Sequence, residues 1–201
     1  MRCWAGAVLA VVALAVPAVR AQTLGGGAEN GPQPLTIAQG CVTSRYFDFS
    51  YRLPEGMKAQ QIPNAPPAAG APRPVMLFVT YRDRGAHRDV AVATAEELRG
   101  EKEPSAAKWM DRLREANAGR EGVVNQSSLA SETVNGQKFW SLTFQQVRED
   151  GSVVNEAVYA TALRGYVVSF TFGSAAQPEL AAMAQSIQSF EPSATGCGAG
   201  K

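Results

Sequence analysis

The sequence predicts an α+β fold: a single antiparallel sheet of about six to seven strands flanked by two main helices, an α/β/α sandwich. Three observations carry this. Two tight-turn pairs, Asn135-Gly136 and Asp150-Gly151, separate runs in which apolar and polar residues alternate, as in antiparallel hairpins. Two stretches, Pro104 to Ala118 and Gln177 to Ser189, repeat apolar residues at helical spacing. The chain has 201 residues, of which 45% are hydrophobic and 18% charged, which suits one domain with a buried core.

Residues 1–21 read as a secretory signal peptide. Arg2 precedes an uncharged run from Cys3 to Val19, Pro17 breaks the helix, and Val19-Arg20-Ala21 sets a cleavage site before Gln22. The uncharged run is short for a membrane anchor, which needs roughly 20 apolar residues. Removing it leaves 17 Lys+Arg against 18 Asp+Glu, with no transmembrane segment. A balance this even gives a nucleic-acid partner no support. The expected location is secreted or periplasmic.

Residues 22–40 read as a flexible linker, with Gly25-Gly26-Gly27, Gly31, Pro32 and Pro34 and one charge, Glu29. The folded domain is expected over 41–197, followed by a flexible tail over 198–201. After cleavage two cysteines remain, Cys41 before the first strand-like run and Cys197 beyond the last helix-like run. In an oxidising compartment they are expected to pair and tie the ends of the domain together.

The first strand is read over Ser44 to Leu53, where Phe47, Phe49, Tyr51 and Leu53 alternate with polar residues before Pro54-Glu55-Gly56. Ile62 to Pro74 is a Pro/Ala-rich loop. Val75 to Tyr81 is a continuous apolar run, expected in a strand covered on both faces. Asp83-Arg84-Gly85 turns it, Asp89 to Thr94 is a weaker strand, and Ala95 to Arg99 suggests a helical turn. Ala106, Trp109, Met110, Leu113 and Ala116 form the stripe of the first helix, which Gly119 stops. Four strands follow: Gly122 to Leu129, Gln137 to Arg148 with Trp140, Leu142 and Phe144 on one face, Ser152 to Leu163, and Tyr166 to Phe172. Leu180, Met183, Ala184 and Ile187 form the stripe of the last helix.

Phe47 to Leu53 followed by Pro54-Glu55-Gly56 resembles the strand and Pro-x-Gly opening of the PsbP-like (Mog/PsbP) superfamily. Tyr166 to Phe172, a helix from Pro178 and Ser186-Ile187-Gln188-Ser189-Phe190 resemble its close, an aromatic strand and a helix ending in Ser-Phe. The resemblance implies a seven-stranded antiparallel sheet, or nearly so, with helices on opposite faces. Members include photosystem accessory proteins, a small-GTPase-binding protein and exported bacterial proteins. Most are binding or assembly factors, which implies an accessory module here rather than an enzyme.

The residues themselves offer little chemistry. The chain has one histidine, so no multi-His metal site exists. His87 lies in the charged stretch Tyr81 to Asp89, where Asp83 or Asp89 could orient it as a general base. No Gly-x-Ser-x-Gly elbow supplies a nucleophile. Glu96, Glu97, Glu101 and Glu103 could offer oxygens to a hard cation, but Arg99 and Lys102 interrupt them, and acids before a helix answer its dipole. The reading is therefore a non-catalytic exported module with no cofactor, no metal and no catalytic residue, whose partner is an unknown protein or small ligand. The alternatives are a hydrolase-like enzyme with an unrecognised site, or a structural envelope protein tethered by its linker.

Overall fold

The computed structural model describes residues 32, 35–60, 74–85, 87–98, 105–193 and 197. The signal segment 1–21, most of the linker, most of the Pro/Ala-rich loop, Glu101, Glu103, Pro104 and the tail 198–201 lie outside the described residues.

The elements run β1 (Leu35–Ala38), β2 (Cys41–Ser44), β3 (Phe49–Arg52), β4 (Lys58–Gln60), β5 (Val75–Arg84), β6 (His87–Glu97), α1 (Ala106–Ala118), β7 (Val123–Val124), β8 (Ala130–Val134), β9 (Gln137–Val147), β10 (Val153–Leu163), β11 (Tyr166–Ser174) and α2 (Gln177–Gln185). A 3₁₀ turn over Ser186–Ser189 continues α2. The α+β class holds, but the expected single sheet is two. β1-β2-β3 form a small sheet of their own. The main sheet has eight strands in the order β4-β5-β6-β11-β10-β9-β7, with β8 also on β9.

Several local readings change with it. Leu35–Ala38, placed in the linker by composition, pairs antiparallel with β2. The strand read over Ser44 to Leu53 is interrupted by a turn through Asp48, whose φ is 54°. Its alternation still reports burial, since Phe47, Phe49, Tyr51 and Leu53 are all buried. Glu96 is the last but one residue of β6 and Glu97 its end, where a helical turn was expected. The partner of β9 across Asn135-Gly136 is β8 rather than Gly122 to Leu129, of which only Val123–Val124 is strand. In β5 a register shift between Met76 and Phe78 makes Leu77 and Phe78 both face the larger core. A bulge, more than two-sided cover, explains that continuous apolar run.

The sheet separates two cores. On one face α1 packs on β9 and β10, with Ala106 and Met110 in one core with Leu142, Phe144, Val158, Ala160 and Val167. Ser105 caps this helix, accepting from the Lys108 amide at 3.4 Å. Its stripe is displaced from the expected one: Met110 and Asn117 are buried, Ala116 is exposed, and Trp109 is half-buried with its indole N–H donating to Glu96 at 2.8 Å. The opposite face is covered by α2, the 3₁₀ turn and the small sheet. Phe170 lies at its centre, with Phe49, Tyr51, Phe78, Phe139 and Phe190 around it. The helices therefore take opposite faces, as the superfamily resemblance implies. Burial pushes the Tyr51 phenol up, and its hydroxyl bonds Ser186 at 2.5 Å.

The end of the chain is sewn to the small sheet. Ser50 and Glu191 exchange backbone hydrogen bonds at 2.8 and 3.1 Å, and Arg52 donates to the Cys197 carbonyl at 2.6 Å. Cys41 and Cys197 stand as a disulfide pair with Cα atoms 5.9 Å apart across a sequence separation of 156. A bond closing so long a loop constrains mainly the unfolded chain. Its loss should lower stability by about 2–5 kcal/mol. Urea titration of oxidised and dithiothreitol-treated protein checks this, and coincident midpoints would count against it.

Candidate functional site

The charged stretch folds as the tip of the β5–β6 hairpin, closed where Arg84 pairs with His87 and Arg82 with Asp89. Alternation along β6 turns Asp89 to the same face as Ala91 and Ala93, the face carrying α2. Asp89 is 2% exposed. A buried carboxylate persists only when its lone pairs are met, and here they are. Oδ1 accepts from the Ser174 hydroxyl at 2.7 Å. Oδ2 accepts from Arg82 Nη2 at 2.7 Å and Nε at 3.1 Å, and from Arg84 Nε at 3.4 Å. Burial pulls the carboxyl up, but the bonds from Ser174 and Arg82 outweigh it and hold the group below its ordinary range.

This carboxylate joins three parts of the fold. The Ser174 hydroxyl also accepts from the Ala176 amide at 3.2 Å, which fixes the chain entering α2. Arg82 Nη1 donates to the Glu55 carbonyl at 2.7 Å and clamps the turn after β3. Gly56 in that turn has φ 74°, and a Cβ there would sit 3.3 Å from Arg82 Cδ. Glycine takes that backbone without strain and leaves the Arg82 side chain undisturbed.

Between the hairpin tip and α2 lies a cleft of about 340 Å³. Arg82, Arg84, Glu55 and Glu179 supply its charges, and Pro54, Pro178 and Met183 its apolar wall. Arg82 is fixed by Asp89, while the Arg84 side chain is 48% exposed. The concavity brings two arginines, two acidic residues and apolar residues together.

His87 is exposed. Neither acid beside it serves it: Asp89 is spent as above, and Asp83 accepts from Arg88 at 2.8 Å. Of the acidic cluster, Glu96 bonds Trp109 and Glu97 ends β6, while Glu101 and Glu103 lie outside the described residues. Among the described residues no three His, Cys, Asp or Glu side chains gather to hold a metal ion. Also among them, no helix is long and apolar enough to cross a membrane.

The cleft itself escaped sequence reasoning. Ser174 and Asp89 are 85 residues apart, and Glu55 and Arg82 are 27 apart, so no local spacing joins them. The available signal was the alternation of charge along Arg82, Asp83 and Arg84, which places two arginines on one face of a strand.

No family model matches the chain, and no curated protein matches it by sequence. Among solved structures, it is similar to cyanobacterial PsbP from Synechocystis sp. PCC 6803, at 17% identity and a TM-score of 0.50, over 84% of this chain and 98% of that one. It is also similar to LpqN, involved in cell envelope biogenesis of Mycobacterium tuberculosis, at 15% identity and a TM-score of 0.47, over 70% and 78%. A third is PA94 from Pseudomonas aeruginosa, a protein of unknown function and putative regulator, at 16% identity and a TM-score of 0.44, over 81% and 98%. The chain has a PsbP-like fold.

Proposed function

We propose that this chain is an exported, non-catalytic binding or accessory module, cut after Ala21 and closed by the Cys41–Cys197 bond. A fold likeness supplies no activity by itself. The observation that carries the reading is the state of the two acids beside the single histidine. A general base needs a partner to fix its tautomer and orientation. Asp89 is saturated by its arginines and Ser174, and Asp83 is paired with Arg88, so the hairpin tip presents charge and offers the histidine no orienting acid. The disulfide pair and the apolar leader both suit an oxidising compartment outside the cytoplasm.

The test is a broad hydrolase and transferase substrate screen on protein recovered after export, as wild type and as His87→Ala. The expected result is no turnover above blank in either, from a chain whose intact mass begins at Gln22. Reproducible wild-type turnover lost in the variant would overturn the non-catalytic reading. A recovered chain still carrying Trp4 would overturn the processing.

A further inference from the structure

We propose that the cleft between the β5–β6 tip and α2 binds a small zwitterion with an apolar body, of amino-acid or dipeptide size. This rests on the binding-module reading and names its ligand. Arg84 receives the ligand's carboxylate. It reaches Asp89 Oδ2 through Nε, and among the described residues its paired Nη groups bond nothing, which leaves them for a second, bidentate partner. Its neighbour Arg82 is held at Nε, Nη1 and Nη2 and serves as framework. Asp89 acts here as a positioning residue: one buried carboxylate takes both guanidinium groups and sets where Arg84 points.

The remaining charges of the cleft choose the ligand's other end. Glu55 and Glu179 line the same concavity. With Asp89 balancing one arginine, the residues of the cleft carry two acids against one unbalanced guanidinium. A simple anion would meet more negative charge than positive. A ligand that carries an ammonium as well as a carboxylate satisfies both signs. Pro178 and Ala182, both exposed, offer apolar surface to the body between or beside those groups. A volume of about 340 Å³ sits at the lower end of small-ligand sites, which excludes a folded domain as the occupant of the cleft itself.

Titration of the ¹⁵N-labelled protein followed by amide NMR shifts tests this, with leucine, Leu-Leu, leucinamide and N-acetylleucine as probes. Leucine or Leu-Leu should shift the amides of Arg82–Arg84 and of 179–183 at millimolar concentration. Whichever of the two binds more tightly fixes the spacing of the charged ends. Leucinamide, without the carboxylate, and N-acetylleucine, without the ammonium, should each bind at least about tenfold more weakly. Arg84→Gln, an exposed change that leaves the Arg82–Asp89 pair in place, should bring leucine down to the leucinamide level. Glu179→Gln should likewise erase the preference over N-acetylleucine. Equal binding of all four probes, binding unchanged in Arg84→Gln, or no shifts from any probe would overturn the site. These outcomes leave the binding-module reading standing, whereas turnover of a bound probe would overturn that reading and keep the site.

Discussion

Phe170→Ala is expected to cost about 3–5 kcal/mol, the range for truncating a large core aromatic. Phe170 is 1% exposed, and five aromatic rings lie with centroids 5.1 to 6.4 Å from its own. Those rings come from both sheets: Phe49 and Tyr51 from β3, Phe78 and Phe139 from the main sheet, and Phe190 after the 3₁₀ turn. Their backbones belong to four separate stretches, so they cannot collapse together into the void, and the cavity adds to the transfer loss. Trp109→Ala should cost less, roughly 2 kcal/mol, because the ring is half-buried and contributes one hydrogen bond to Glu96. Denaturant titration of both variants checks the order. A larger loss at Trp109 than at Phe170 would mean that the centre of the fold lies on the α1 face.

Asp89→Asn should cost about 3–5 kcal/mol, because it removes a buried carboxylate charge and leaves the largely covered Arg82 guanidinium without its counter-ion. The Asp89 side chain is 3% exposed and that of Arg82 20%. The loss should also depend on pH. Asp89 is held below its ordinary range, so its ionised form is favoured by folding. That contribution is fully present above the unfolded carboxylate range, about 4, and is lost as pH falls through the lower folded value. The gap between wild type and Asp89→Asn should therefore be constant near neutrality and close in acid. Glu156 works in the opposite sense: burial raises its carboxyl, so folding gains as pH falls through its folded value. Both proteins carry Glu156, and the difference between them isolates Asp89. A gap that stays constant down to the acid transition would show that the carboxylate's charge does not hold the hairpin tip.

The amino-acid sequence by itself determined what depends on neighbours along the chain. The hairpins at Asn135-Gly136 and Asp150-Gly151 follow from turn residues that accept positive φ, and both form. Helical periodicity located α1 and α2, and alternation marked Phe47, Phe49, Tyr51 and Leu53 as buried even though a turn splits that segment. What only the tertiary structure decided are pairings between distant stretches. Nothing local distinguishes a strand of the main sheet from one of a second, smaller sheet, so the strand read over Ser44 to Leu53 was placed in one sheet with the rest, whereas β3 pairs with β2 in a separate sheet. A short segment misled for the same reason. Leu35–Ala38 follows the Gly- and Pro-rich run of the linker and is a strand because β2 supplies its hydrogen bonds. The candidate site belongs to this second class. The charged stretch around His87 was legible, but not that Asp89 would be buried, saturated by Ser174 and two arginines, and unable to serve the histidine. Burial and partner choice are set by which elements fold over a residue, and for Asp89 the partner Ser174 lies 85 residues away at the end of β11.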